Sequence, residues 1–138
     1  MLRILIACLT LVLTAPPALA QERLEPNPDI EATIANQFDA FRERDVVAAW
    51  QYASPNIQML FGNPDNFGNM VQNGYPMVWS PGEVEFMDLQ SFGGVLVQRV
   101  EVIDQSGRAH YLGYQMVQTD AGWRINGVRI LRAPQVGA

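Results

Sequence analysis

Apolar residues in the first half of the chain recur every three or four positions, which is the spacing of a helix that buries one side. One such stripe consists of Ile30, Ile34, Phe38 and Phe41. Asn27 precedes Pro28, an order typical of a helix N-terminus, because asparagine caps free backbone N–H groups and proline suits the first helical position. The pattern predicts a helix over residues 28–44.

Shorter helical segments follow, and each is bounded by residues that start or stop helices. Asp45 is expected to cap a segment, residues 46–53, that repeats the helical spacing. Ser54-Pro55 ends that segment and is expected to begin another turn. A further helix is predicted over residues 64–72, with Gly74 as its left-handed stop.

The second half of the chain is rich in branched and aromatic residues, which favour strands. Glycine-containing turns separate four such segments, residues 84–89, 95–104, 109–119 and 123–131. Helices followed by strands indicate an α+β fold, because a parallel sheet requires the two to alternate. We expect N-terminal helices packed on a curved antiparallel sheet of about four strands.

The two faces of this sheet are both largely apolar. By period two, one face of the third predicted strand carries His110, Leu112, Tyr114 and Met116. The other face carries Tyr111, Gly113, Gln115 and Val117. Helices cover one face, so a second copy of the chain is expected on the other, as a homodimer.

Charged residues also alternate along these strands. Glu83 and Glu85 are expected on one side of their strand and Asp88 on the opposite side. Arg99 and Glu101 share a face with apolar neighbours. On a concave face, Arg99 would bind a ligand carboxylate, whereas on the outer face the two would be cross-strand or interface charges.

The first twenty residues have the features of a cleaved signal peptide. Arg3 supplies a positive start, an apolar run covers residues 4–13, and Ala18-Leu19-Ala20 matches the small-x-small cleavage pattern. We therefore expect residues 1–20 to be removed and residues 21–138 to form a single domain in the periplasm or outside the cell. No stable membrane span is expected after cleavage, because the apolar run is shorter than the roughly 20 residues that cross a bilayer.

Composition excludes several kinds of chemistry. Cys8, the only cysteine, lies inside the leader, so the mature chain is predicted to lack a catalytic thiol, a disulfide and a cysteine-ligated zinc. His110 is the only histidine, which excludes sites that need two or three. Without Arg3, eight arginines face fourteen acidic residues, a net charge of about −6 that opposes binding to nucleic acid. No metal or other cofactor is expected.

Four residues are the candidates for a functional site. His110 suits proton transfer near neutral pH, with Tyr114 on the same strand face or Tyr75 stabilising an oxyanion. The alternative for His110 is a half-exposed position next to a turn. Tyr75 and Trp79 alternate with Pro76 and Val78, so they are expected either to line a pocket mouth or to cover the end of the core.

Several motifs carry a family resemblance over nearly the whole mature chain. They are residues 38–41, Ala53-Ser54-Pro55, Phe61-Gly62, Phe67, Met70-Val71, Gly74-Tyr75-Pro76 and residues 123–128. These motifs resemble an uncharacterised family of exported bacterial proteins, a domain of unknown function. More loosely, the order of elements is similar to the cone-shaped superfamily of nuclear transport factor 2, ketosteroid isomerase and the SnoaL-type polyketide cyclases.

The superfamily resemblance implies a cavity between helices and sheet that serves different purposes in different members. Isomerisation, cyclisation, dehydration and partner binding are all implied uses, and no catalytic residue matches position by position. We therefore expect non-catalytic binding of a small apolar or amphipathic ligand, or of a protein partner. The alternatives are an isomerase-, cyclase- or dehydratase-like enzyme and a subunit of an envelope assembly.

Overall fold

A computed structural model describes residues 21–134. The helices are α1 (Pro28–Arg42), α2 (Val46–Gln51), α3 (Pro55–Phe61), α4 (Pro64–Gly74) and α5 (Pro76–Trp79). The strands are β1 (Glu22–Leu24), β2 (Pro81–Phe92), β3 (Val95–Asp104), β4 (Ala109–Thr119) and β5 (Gly122–Leu131). All neighbouring strands pair antiparallel in the order β1-β2-β3-β4-β5, so the predicted α+β class is confirmed.

Side-chain caps explain where the first four helices begin. The caps are Asn27, Asp45, Ser54 and Asn63, and each accepts a hydrogen bond from a backbone N–H in the first turn of its helix. A proline occupies an initial helical position in three of these helices, where the missing N–H costs nothing. The predicted starts of these helices are therefore confirmed.

The predicted end of α4 is wrong. Gly74 is the last residue of the helix and is not among the glycines with positive φ, whereas Gly62, with a φ of 84°, ends α3. The expected alternation from Tyr75 to Trp79 is also wrong. Pro76 begins one more helical turn, which buries the consecutive residues Met77 and Val78.

The sheet has five strands and not the expected four. The additional strand, β1, is only three residues long and pairs with residues 89–91 of β2. Glu22 and Arg23 are charged and leave only Leu24 to contact the core. A strand this short, with one apolar residue, has no alternation that a sequence pattern could detect.

A register shift in β2 also changes the side on which one charged residue lies. The pairing with β3 is interrupted between Phe86 and Leu89, which is a β-bulge or similar irregularity. Asp88 Oδ1 forms a salt bridge with Arg99 Nη1 at 2.9 Å, on the face of the sheet away from the helices. The prediction that Asp88 points away from the face of Glu83 and Glu85 is therefore wrong.

The main core lies between α1 and the helix-facing side of the sheet. Phe38 on α1 packs against Tyr114 on β4, with ring centroids 5.9 Å apart. Leu112 and Met116 are buried on the same face as Tyr114, as the alternation predicts. None of the helices described between residues 21 and 134 is long and apolar enough to cross a membrane. The predicted signal peptide lies outside the described residues.

Candidate functional site

A cavity of about 210 Å³ lies between the helices and β5. Side chains from α1, α3, α4 and α5 surround it, and Ile125 and Val128 of β5 form the opposite wall. The lining is almost entirely apolar. Leu60 lines the cavity and is 73% exposed, which places it where the cavity meets the surface.

Aromatic rings hold the helical wall of the cavity in place. Phe67 of α4 contacts Phe41, Trp50 and Phe61, with ring centroids 5.6 to 6.0 Å apart. Such tilted and edge-on pairs add stability beyond the area that they bury. They fix four different elements, from α1 to α4, around one side of the cavity.

A short backbone connection positions α3 over β5. The Ser54 N–H donates to the Ile125 carbonyl at 2.8 Å, and the Ile125 N–H donates to the Tyr52 carbonyl at 2.8 Å. The Ser54 hydroxyl caps α3 and also donates to Asn126 Oδ1 at 2.7 Å. Because Ser54 is buried, these bonds are shielded from water and tie the cavity mouth to the sheet.

Two polar side chains line the cavity, and each donates a hydrogen bond to a backbone carbonyl. Gln37 Nε2 donates to the Ala49 carbonyl at 3.2 Å, and the Tyr75 hydroxyl donates to the Val128 carbonyl at 3.0 Å. Both side chains are therefore held in place by bonds to the backbone.

Tyr114 lies in the core beside this cavity and is not part of its lining. Its side chain is fully buried, and its hydroxyl has no hydrogen-bond partner among the described residues. Burial, and to a smaller extent the neighbouring Tyr75, raises the pKa of Tyr114 well above its ordinary value. The phenol is therefore neutral at physiological pH.

Trp79 also lies outside the cavity lining. Its ring packs against Phe41 at 5.9 Å and carries the Arg44 guanidinium 4.5 Å from the ring centroid. Arg44 has a φ of 58° and donates to the Ser80 hydroxyl at 2.8 Å. These contacts join the end of α1 to α5. Trp79 therefore covers the end of the core, which is the second of the two positions expected for it.

His110 lies next to the β3–β4 turn and outside the cavity lining. Its Nε2 is 2.7 Å from Asp104 Oδ2. The Ser106 hydroxyl, and then His110, hold the pKa of the Asp104 carboxyl well below its ordinary value. Of the four candidate residues, only Tyr75 therefore lines the cavity.

Sequence reasoning missed the residues of α3 and α4 that form most of the wall. Ile57 was not among the candidates, and Phe61 and Met70 were named only as part of the motifs that carry the family resemblance. Gln37 offered a detectable signal, because it is a polar residue within the stripe formed by Ile34, Phe38 and Phe41. Residues 21–134 contain no group of three potential metal ligands.

These features define a small α+β domain with an apolar cavity between its helices and its sheet. The chain belongs to the family described as Domain of unknown function (DUF4864), whose family model matches residues 23–138. No curated protein matches the chain, and no solved structure does.

Proposed function

We propose that the protein is an exported domain that binds a small apolar or amphipathic molecule in this cavity. The observation that carries the proposal is an apolar space of about 210 Å³ next to a tightly packed core. Small-molecule sites are typically concave pockets lined by apolar and aromatic side chains with a few polar groups. A space of this size and lining favours a ligand with an apolar body.

Size and polarity narrow the class of ligand. An apolar cavity of about 150 Å³ is large enough to hold benzene. The space here suits a somewhat larger group, such as two fused rings or a short segment of an acyl chain. The presence of Gln37 and Tyr75 in the lining favours a ligand that carries a polar group among its apolar atoms.

The motifs that carry the family resemblance support the same site. Phe61, Phe67, Met70 and Val71 all line the cavity, as do Ala53, Tyr75 and Val128. These residues come from six of those motifs. Their convergence on one space supports a role for the cavity in what the family shares.

Binding without chemistry is the function that the geometry supports best. The enzyme alternative needs His110 near a polar group inside the cavity, whereas His110 contacts Asp104 at a turn. The polar side chains of the lining are Tyr75 and Gln37. The Tyr75 hydroxyl donates its proton to the Val128 carbonyl, and the Gln37 amide is not an acid or a base near neutral pH.

Export is the second part of the proposal and rests on residues 1–20. The apolar run and Ala18-Leu19-Ala20 support cleavage before Gln21. The intact mass of protein recovered from the periplasm or medium should correspond to a chain that begins at Gln21. Recovery of the full-length chain in the cytoplasm alone would contradict export.

We also propose that the domain is related to the cone-shaped superfamily named above. Helices that precede an antiparallel meander and cover one of its faces support this relationship. The register shifts in β2 and β4–β5 are the kind of irregularity that bends strands. An experimental structure superposed on members of that superfamily tests the assignment.

A fluorescence titration with N-phenyl-1-naphthylamine tests ligand binding. This neutral probe brightens when it leaves water for apolar surroundings, so saturable brightening is expected with the folded protein. Leu60→Trp should obstruct the cavity mouth and weaken binding by about 10-fold or more, a loss of at least ~1.4 kcal/mol. Met59→Trp is the matched control, because Met59 is 80% exposed and lies outside the lining.

The same titration can contradict the proposal. Equal affinity in the two tryptophan variants would place the probe elsewhere on the molecule. Absence of saturable binding to the folded wild-type chain would argue against an apolar ligand altogether. Retention of the wild-type unfolding temperature in both variants separates obstruction from misfolding.

A further inference from the structure

Strand β2 forms an edge of the sheet along more than half of its length. It pairs with β3 from Pro81 to Phe92, but β1 pairs only with residues 89–91. Among residues 21–134, no strand lies beside residues 82–88 on the side opposite β3. Alternate residues of an antiparallel strand direct their N–H and C=O groups to opposite sides. Residues 82–88 are therefore a free edge, with backbone groups that no strand pairs.

The free edge is not closed by loops or side chains along its central part. Arg42 of α1 donates to the Gly82 carbonyl at 3.0 Å, at the start of the edge. From Glu83 to Phe86, no side chain or loop of the described chain forms a hydrogen bond with the backbone. A strand edge in this state is a template to which an extended peptide can add.

A groove of about 520 Å³ runs beside the free edge, between α1 and β2. Val84 and Phe86 line it from the helix-facing side of the sheet and are only half-buried. The residues that they pair with on β3, Val102 and Val100, are fully buried. The apolar rows of the sheet therefore lose their cover at the edge. An added strand would restore it, because its side chains continue the same rows.

The outer face of the sheet, the side away from the helices, is acidic at the free edge. Glu85 and Glu101 pair directly across β2 and β3, and Glu83 lies two positions from Glu85 on the same side. Like charges directly opposite one another destabilise a sheet. The free chain therefore holds an unfavourable pair of charges at this edge, which a cation between them would relieve.

The chain itself supplies little positive charge here. Among the described residues, the lining of the groove holds four carboxylates and the guanidinium of Arg42. Arg42 is bound to Asp39 at 2.8 Å. Within residues 21–134, the three glutamates of the edge form no salt bridge. Their charge is therefore available to a partner.

We propose that the free edge binds an extended basic peptide of a partner protein, which adds to the sheet as a further strand. Successive side chains of such a strand point to opposite faces. On the outer face they meet Glu83, Glu85 and Glu101, which favours arginine or lysine. On the helix-facing side they cover Val84 and Phe86, which favours apolar residues. The partner segment therefore alternates basic and apolar residues.

Charge separates this partner from the other candidates for the edge. A second copy that pairs through the same edge brings the glutamates of both chains side by side, and like-charge repulsion opposes this. Residues 135–138 carry no charge and leave the carboxylates without a cation. Residues 1–20 precede Glu22, which pairs with Ser91 at the end of β2 away from the free edge.

Peptide binding goes beyond the proposed ligand binding and does not depend on it. The groove and the cavity share no lining residue. Asp39 and Arg42 face the groove, whereas Gln37 and Phe41 line the cavity from a different side of α1. The two interactions can therefore be measured separately on the same protein.

Fluorescence anisotropy with a short labelled peptide, in which arginine and valine alternate, tests the proposal. It should bind wild-type protein with a dissociation constant of about 100 µM or less at low salt, and about 10-fold more weakly at about 0.5 M salt. The control peptide has the same residues, with the arginines grouped at one end, and should bind at least about 10-fold more weakly. Methylation of alternate backbone nitrogens should abolish binding in one of the two registers, because it removes the donors that face β2.

A double variant, Glu83→Gln with Glu85→Gln, locates the peptide on the protein. It should weaken binding about 10-fold or more, since two of the carboxylates that meet the basic residues are neutralised. Asp120→Asn is the matched control, because Asp120 is an exposed carboxylate outside the groove and its loss should leave the affinity unchanged. The double variant should unfold at or above the wild-type temperature, because it removes opposed charges. Its affinity for N-phenyl-1-naphthylamine should equal that of wild type.

Three results would overturn the proposal. Equal binding of the alternating and grouped peptides would reduce the interaction to general attraction between charges. Unchanged affinity in the double variant, or no binding of the alternating peptide at about 1 mM, would remove the free edge as its site. An affinity that falls as the protein concentration rises would show that a second copy occupies the edge instead.

Discussion

The two ends of the helical layer cover the same sheet in different ways. At one end, α1 seals its part of the sheet completely: Ile34, Phe38, Val100 and Tyr114 are at most 1% exposed. At the other end, α3 and α4 meet β5 around an open apolar cavity. Both ends are lined by hydrophobic residues, so composition alone does not create the cavity.

The lengths and boundaries of the helices account for the difference. Helix α1 has 15 residues and continues across the sheet, with an apolar residue at nearly every inward position. Helix α3 has only 7 residues, none of them buried, and ends at Gly62. A short helix between a proline and a glycine covers less of the sheet, so space remains beneath it.

The largest effect should come from removing a ring at the sealed end. Phe38→Ala should lower the free energy of unfolding by about 3–5 kcal/mol, because the surrounding side chains cannot close the space. Phe61→Ala, at the open end, should cost about half as much, since Phe61 is only half-buried and already borders a cavity. Urea denaturation of both variants measures the difference, and equal losses would contradict the contrast between the two ends.

The next largest effect tests how α3 is held at the open end. Ser54→Ala removes the cap of α3 and leaves Asn126 Oδ1 without its donor, at a cost of about 2 kcal/mol. Asn63→Ala removes the exposed cap of α4 and should cost about 1 kcal/mol. Chemical denaturation provides both values. If Ser54→Ala costs no more than Asn63→Ala, the bond to Asn126 contributes nothing to the cavity mouth.

Alkaline pH should affect the sealed end through Tyr114. The pKa of the Tyr114 phenol is raised in the folded protein. Below about pH 10 the phenol is neutral in both states, and ionisation does not affect folding. As the pH rises further, the phenol ionises in the unfolded chain first, and this lowers the free energy of unfolding. Between wild type and Tyr114→Phe, the difference in unfolding free energy should change by about 1.4 kcal/mol from pH 8 to pH 11. At pH 8, the variant should be at least as stable as wild type, because the lost hydroxyl has no partner.

The smallest effect concerns a region outside both ends, the β3–β4 turn. The lowered pKa of Asp104 stabilises the folded protein above the ordinary carboxyl value near 3.8, and this contribution is lost as the pH falls below it. Asp104→Asn should therefore reduce stability at pH 6 and have less effect near pH 3. Thermal unfolding at the two pH values measures this, and N-phenyl-1-naphthylamine binding should not change. A change in the affinity for the probe would mean that the structure of the turn affects the structure of the cavity.

Much of the fold could be predicted because single residues determine local structure. Asn27, Asp45 and Ser54 each precede a helix that they cap, and the turn glycines separate the long strands. Two of those strands, residues 95–104 and 109–119, match their predicted bounds. The prediction of Gly74 as a left-handed stop was wrong because α4 ends without a residue in that conformation. The final backbone hydrogen bond of the helix runs from the Tyr75 N–H to the Val71 carbonyl.

The site was less predictable because it depends on contacts between distant segments. Nothing near Ile57 or Phe61 in the sequence indicates that both lie across a cavity from Val128. Alternation placed His110 and Tyr114 on one face correctly, but a strand face extends beyond any single pocket. Tyr75 was selected for an alternation with Pro76 and Val78 that the structure does not have, and its bond to the Val128 carbonyl could not be anticipated.

The most direct test of the account is a two-dimensional ¹H–¹⁵N NMR titration with N-phenyl-1-naphthylamine. Binding in the cavity predicts saturable shifts of the backbone amides of Ile57, Phe61, Met70 and Val71. The amides of Ile34 and Val100, at the sealed end, should remain unchanged. Shifts confined to the outer-face residues Val95 and Val97, or no saturable shifts at all, would contradict the assignment of the cavity as the binding site.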